Sequence, residues 1–333
     1  MKKQVFWGID ISKKVLDVCI EKDGKVLLDF QVENSPSKIR MAFSHHMAQQ
    51  QISWQESVFC MENTGIYGVH LIRYLNKNSE HVYVVNPLHL KKSMGLIRGK
   101  NDKIDARRIA HFIARNHEDL RVHQMPGEVI EELRILMSKR RQYIQMLKAL
   151  GQSTEDLKVF GNKKVVAVLT KAEQLLIKNL KKTIKNTESE INALISADAE
   201  LKQVREQICT VPGVGPVLSA ALIVATNGFK PLNQARKLAC YAGVAPFEYS
   251  SGSSIYRRPK LSVMADKTLK KLLHLAAMSA IRFPGELQTY FLRKVAQGKN
   301  KMLVLNAVRN KIILRVCAVI KNGKNYSPPL LLS

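Results

Sequence analysis

The sequence predicts an α/β domain joined to helical ones, and three observations predict it. Up to about residue 125, short strand patterns interleave with helical ones. Residues 126–208 read as helix almost throughout, and residues 209–325 return to helices around one Ser/Gly-rich stretch. The expected domains are therefore 1–125, 126–208 and 209–325.

In the first domain, VFWGIDIS (5–12), LDVCIEKDG (16–24) and KVLLDFQVEN (25–34) form three strand patterns, with a tight turn at Asp23-Gly24. A helical stretch from Pro36 to about Gln51 precedes a fourth strand pattern, SVFCMEN (57–63). A helix over 66–77, a fifth strand over 81–87 and helices near 88–96 and 102–116 complete an order that demands a mixed sheet. In the middle domain, Leu176, Leu180, Ile184, Thr187, Ile191, Leu194, Leu201, Val204 and Ile208 recur at steps of three, four or seven. That spacing suits an antiparallel helical hairpin or coiled coil turning near Gly161-Asn162. The third domain opens with Pro212-Gly213-Val214-Gly215 between helical patterns, similar to the hairpin of a helix-hairpin-helix.

Charge narrows the partner. The 333 residues carry 53 Lys+Arg against 27 Asp+Glu, a formal net charge of +26, which points to a polyanion and to nucleic acid first. No stretch approaches the roughly 18 uninterrupted apolar residues of a membrane span. Asp10 breaks the first apolar run before a signal-peptide core can form. Residues 255–325 hold sixteen Lys/Arg and two acids, Asp266 and Glu286, an asymmetry that marks a binding surface. Five scattered cysteines without CxxC spacing indicate reduced thiols in a cytoplasmic protein, with neither a disulfide framework nor a zinc site.

Against a basic background, acids matter by position. Asp10 sits between Ile9 and Ile11 in a strand, where a carboxylate is costly unless paired or bound to metal. Glu62 ends the fourth strand. Asp102 and Asp105, three apart in KNDKIDAR, share a helix face flanked by Lys100, Lys103, Arg107 and Arg108. Each has a local alternative: a helix N-cap for Asp102, an ion pair with Arg108 or Lys103 for Asp105, a turn for Asp10. Together they supply the donors for two Mg²⁺ ions about 3.5–4 Å apart, one activating a nucleophile and one the leaving oxygen. Their places on the first strand, the fourth and a late helix resemble the RNase H-like, RuvC-like fold of Holliday-junction resolvases.

YSSGSSIYRRPK (249–260) supplies hydroxyls beside three cations, Arg257, Arg258 and Lys260. By composition it reads as a flexible linker. Chemically, a serine there could attack a phosphodiester while the cations neutralise the phosphorane. Gly213 and Gly215 add backbone amides that a phosphate could approach.

The order GIDISK with Asp10, MENTG with Glu62, NP at 86–87, KNDKIDAR, PGVG and GVAPFEYSSGSS resembles the DEDD transposases of the IS110 insertion-sequence family over nearly the whole chain. The resemblance implies a RuvC-like N-terminal domain, a coiled-coil middle and a mainly helical C-terminal transposase domain. It implies that Ser251, before Gly252, is the nucleophile, and that Asp10, Glu62, Asp102 and Asp105 hold Mg²⁺. It also implies a dimer assembling to a tetramer on donor and target double-stranded DNA, with a site shared between protomers and a structured bridge RNA choosing the DNA. Gly213, Gly215, Arg257, Arg258, Lys260 and Lys100 are the candidate nucleic-acid contacts. The chain departs from the family at Asn101, commonly Thr, and at Asn63, usually small. LSVMADK (261–267) lacks the Lys and Gly of a Ser-Lys-x-Gly-like run, which leaves Lys260 or Lys267 as the substitute cation. The expected function is RNA-guided DNA recombination through a phosphoserine. The alternatives are a metal-dependent junction nuclease without a covalent intermediate, and a non-catalytic scaffold that would bind DNA equally well in EDTA.

Overall fold

The computed structural model describes residues 4–63, 65–93, 102–160, 162–230, 235–251, 255–261 and 265–328, with the backbone alone at 102, 103, 154, 157, 158, 160, 248–251 and 255–261. The chain divides into two units, Met1–Met125 and Pro126–Ser333.

The first unit runs β1 (Val5–Ile11), β2 (Val15–Lys22), β3 (Lys25–Glu33), α1 (Pro36–Gln49), β4 (Ser57–Glu62), α2 (Val69–Asn78), β5 (Val82–Val85), α3 (Pro87–Ser93) and α4 (Asp102–Asn116). Its sheet has the order β3-β2-β1-β4-β5. The first three strands form an antiparallel meander. The turn between β2 and β3 is made by Asp23 and Gly24 at φ 50° and 75°, the left-handed conformations a tight hairpin requires. β4 and β5 run parallel to β1, each reached through a helix, as parallel pairing demands. The mixed sheet is thus the expected one. The helix expected from residue 66 starts with a 3₁₀ turn at Gly65–Gly68, and the fifth strand is shorter than its pattern.

Side chains alternate along β1. Trp7 and Ile9 face one side, in a core with Ile39 and Phe43 of α1 and Leu71 and Leu75 of α2. Trp7 stacks on Phe43 with centroids 5.4 Å apart, and its Nε1 donates to Ser57 Oγ at 3.2 Å. The other side of the sheet is covered by α4, whose Ile109, Phe112 and Ile113 pack on Val58 and Cys60 of β4.

The second unit runs α5 (Glu128–Phe160), α6 (Lys163–Ala197), α7 (Ala199–Cys209), α8 (Pro216–Ala225), α9 (Ala235–Tyr241), β6 (Pro246–Ser251), β7 (Ile255–Leu261), α10 (Lys267–Ala280), α11 (Glu286–Ala296) and α12 (Lys301–Asn322). α5 and α6 pair antiparallel: Arg140 meets Glu188, and further along α5 Ser153 meets Glu173, further back on α6. The apolar spacing that crosses residues 194–201 in sequence does not make one helix. Asp198 ends α6, and its carboxylate accepts from Leu201 N to start α7.

Among the described residues, only the base of the hairpin is buried. Ile130, Leu133, Ile191 and Ile195 join Leu218, Leu273 and Ile312 in one core, whereas Val168 and Leu175 are exposed. Segments 126–208 and 209–325 therefore share a core at that base. Ser250 and Ser251 of the Ser/Gly stretch lie on β6, paired antiparallel with β7, and residues 252–254 lie outside the described residues.

Candidate active site

Two carboxylates are set by the sheet. Ile9 of β1 pairs with Met61 of β4, and Asp10 and Glu62 are the next residues on these parallel strands. Asp10 alternates with Gly8, and Glu62 with Cys60, so both lie on the side covered by α4. Both are half-buried.

α4 is held unusually close. A Cβ on Gly8 would lie 2.2 Å from Ala106 O and 2.2 Å from Ala110 N, so only glycine admits the helix. Its direction follows from three contacts. Arg107 pairs with Asp29 of β3, His111 Nδ1 stands 3.6 Å from Glu21 of β2, and the ring of His117 lies 5.3 Å from Phe6 at the start of β1. α4 therefore runs antiparallel to β1, with its first turn over the strand ends that carry Asp10 and Glu62. Asp102 opens that turn and Asp105 follows in it. All four carboxylate positions meet at one sheet edge.

The Asp102 side chain lies outside the described residues. Among the described residues, no three His, Cys, Asp or Glu side chains stand close enough to hold a metal ion. Asp105 Oδ1 instead accepts from Arg108 Nη1 at 2.8 Å, the local ion pair open to it from sequence. The cations around KNDKIDAR divide by role: Arg107 is spent on Asp29, Arg108 on Asp105, and Lys100 lies outside the described residues. Sequence reading missed Asp29 and Gly8 as the features that seat α4. Gly8, in a strand otherwise made of large side chains, was the available signal.

In the second unit, Ser251 pairs with Ile255 and is the last residue of β6. Tyr249 stands opposite Arg257, and Phe247 opposite Lys260; the register shift between them takes in Arg258 and Pro259, a proline that could not donate to a regular ladder. Both legs of this hairpin are anchored. On the first, Val244 N donates to Ala239 O at 2.9 Å, and Asn306 Nδ2 donates to Val244 O at 2.9 Å. On the second, Asp266 N donates to Tyr241 O at 2.8 Å, and Tyr241 Oη donates to Asp266 Oδ2 at 3.2 Å. Burial, reinforced by Asp266, pushes the Tyr241 phenol up, so it keeps its proton.

The PGVG turn lies between α7 and α8. Gly213 has φ 86°, and a Cβ there would be 2.3 Å from Ala276 O of α10, so its requirement for glycine is met by helix packing. Gly215 has open space around it and caps α8 ahead of Pro216. Among the described residues, no helix is long and apolar enough to cross a membrane.

Comparison with known proteins gives a consistent picture. Residues 7–157 match a family model described as Transposase, of the DEDD IS110 type, and residues 205–292 match one described as Transposase IS116/IS110/IS902 family. The pilin gene-inverting protein of Moraxella bovis is 26% identical over 331 residues, covering 97% of this chain and 98% of that protein. The insertion element IS116 uncharacterized 44.8 kDa protein of Streptomyces clavuligerus is 22% identical over 98% of this chain and 96% of its own. A solved Bacteroides thetaiotaomicron protein with an actin-like ATPase fold covers 32% of this chain and 37% of its own at 15% identity, with a TM-score of 0.24, an overlap too slight to bear on the fold.

Proposed function

The chain belongs to the IS110 family of insertion-sequence transposases, and from that premise we propose that it is a DNA recombinase that cuts and rejoins strands through Ser251. The observation that carries this is the meeting of Asp10, Glu62 and the first turn of α4, with Asp102 and Asp105, at one edge of a sheet ordered β3-β2-β1-β4-β5. That order supports the RuvC-like reading of the first unit. The antiparallel α5–α6 pair supports the coiled-coil reading of the middle, and the glycine turn between α7 and α8 the helix-hairpin-helix-like one.

The donor chemistry fits Mg²⁺: hard carboxylate oxygens from two strands and a helix, with three of the four fixed on neighbouring elements by backbone pairing and packing. Bound there, Mg²⁺ would polarise phosphoryl oxygens and stabilise the oxygen that departs. β1 and β4 hold Asp10 and Glu62, and α4 brings Asp105, which must turn from Arg108 to serve as a ligand. Arg108, once released, is a cation beside the phosphate. Ser251 Oγ gives up its proton and bonds to phosphorus as the bond from phosphorus to the deoxyribose oxygen breaks, and that hydroxyl leaves. Rejoining is the reverse, with a strand hydroxyl displacing serine.

Arg257, Arg258 and Lys260, on β7, are the proposed counter-charges, with Lys260 or Lys267 replacing the family's missing Lys. Donor and target DNA are the proposed partners, chosen by a structured bridge RNA, in a tetramer where carboxylates of one protomer serve the serine of another. A charge of +26 accommodates both polyanions. The Moraxella relative, named for inverting the pilin gene, is a protein whose name describes DNA cut and rejoined.

Asp105→Asn removes the carboxylate's charge, and with it the ion pair to Arg108, but leaves the apolar packing of α4 in place. With Mg²⁺, strand cleavage should fall on the order of a hundredfold or more while DNA binding persists. Cleavage at the wild-type rate would overturn the carboxylate site.

A further inference from the structure

The C-terminal core contains a charge that packing alone does not explain. Arg309, in the middle of α12, is 6% exposed. Among the described residues its guanidinium meets no carboxylate. Nη2 lies 2.7 Å from His274 Nδ1 on α10, Nη1 lies 3.5 Å from Asn306 Oδ1, and Nε is buried without a hydrogen-bond partner. Leu305, Val308, Ile312 and Ile313 surround it along the same helix, all buried. A cation in such surroundings is costly to desolvate, and an apolar side chain of similar size there is often neutral or stabilising.

Its contacts lead to the serine hairpin. The Asn306 amide stands between Arg309 and that hairpin, with its oxygen 3.5 Å from Arg309 Nη1 and its nitrogen donating to Val244 O at 2.9 Å, two residues before β6 begins. His274 belongs to α10, whose N-cap Asp266 holds the second leg of the same hairpin. Burial, then the charge of Arg309, holds the His274 imidazole below its ordinary pKa, so Nδ1 is free to accept at neutral pH. Both legs of the hairpin are thus referred to the α10–α12 pair that Arg309 joins.

We propose that His274, Asn306 and Arg309 form the mount of the hairpin, and that Arg309 is a positioning residue for Ser251; this rests on the serine reading above. The lever is long. β6 spans six residues, roughly 20 Å, so a tilt of about 3° at its root moves its far end about 1 Å, enough to cost on the order of a hundredfold in a positioned reaction.

The test compares wild type, Ser251→Ala, Arg309→Met, Asn306→Asp and the Arg309→Met/Asn306→Asp double variant. The readouts are the covalent protein–DNA adduct on a cleavable duplex, duplex binding and thermal melting. Arg309→Met should melt at or above wild type and bind DNA equally, with the adduct reduced at least about tenfold. Asn306→Asp, which loses the donor to Val244 O, should show the same loss, and the double variant no more than either single, because both break one link. Arg309→Met and Asn306→Asp forming adduct at the wild-type level would overturn the mount. So would a loss of adduct that only parallels a loss of melting temperature and DNA binding. If Arg309→Met fails to fold, Asn306→Asp decides alone. An adduct that survives Ser251→Ala would instead remove the serine reading, and the mount with it.

Discussion

At the scale of single residues, the proposed site rests on one glycine and four acids. Asp10 was legible because a carboxylate between Ile9 and Ile11 has few uses in a buried strand. Asp102 and Asp105 were legible as a pair, and Arg108 as one of two cations within reach of Asp105; the choice of Arg108 over Lys103 was not, since both lie within one turn of the same helix. Gly8 was legible as an oddity and not as a cause, because its role appears only when α4 is laid across it. Gly8→Ala tests that role. The added methyl would stand 2.2 Å from the backbone of α4 at Ala106 and Ala110, a contact that cannot be relieved by a rotamer change. Overpacking of this kind costs typically about 1–3 kcal/mol and here displaces the helix that carries Asp105. Urea unfolding should show the loss, and cleavage should fall further than stability alone explains. Unchanged stability would mean that α4 sits farther from β1.

At the scale of elements, the strands and helices of the first unit follow from patterns in the sequence, since period-2 and period-3.6 repeats report directly on which side of an element is buried. What failed to show were junctions. Asp198 splits a continuous apolar repeat because one capping carboxylate outweighs the spacing around it. The hairpin around Ser251 was hidden because its Ser/Gly composition reads as linker, and strand pairing depends on a partner four to fifteen residues on. The mount was hidden more deeply: His274 and Asn306 contact groups 35 and 62 residues away, from positions that look like ordinary helix.

Another such junction is Glu286, which receives Arg315 of α12 and the Tyr326 hydroxyl at 3.0 Å, pinning α11 and the tail beyond α12. Burial pushes its carboxyl up, but Arg315 and Tyr326 more than offset this and hold it below the ordinary range. A depressed carboxylate contributes fully above its unfolded pKa, near 4.3, and that contribution is lost as pH falls through the lower folded value. Glu286→Gln should therefore cost about 2 kcal/mol at pH 7 and progressively less toward pH 3. Urea titrations at both pH values measure this; an equal cost at both would show that the charge is not what stabilises the junction.

At the scale of the whole molecule, an excess of 26 positive charges and the match of two transposase family models over most of the chain define a protein made for nucleic acid. The chain places its carboxylates in the first unit and its candidate nucleophile in the second. Whether that serine bonds to DNA is the point on which the mechanism stands. The direct measurement is mass spectrometry of the tryptic fragment Leu238–Arg257 after cleavage of a duplex with Mg²⁺ and exhaustive nuclease digestion. Wild-type protein should carry a nucleotide phosphate on Ser251, and Ser251→Ala should carry none anywhere in the fragment. Mg²⁺-dependent cutting by wild type with Leu238–Arg257 unmodified would contradict the serine mechanism and leave a metal-dependent junction nuclease in its place.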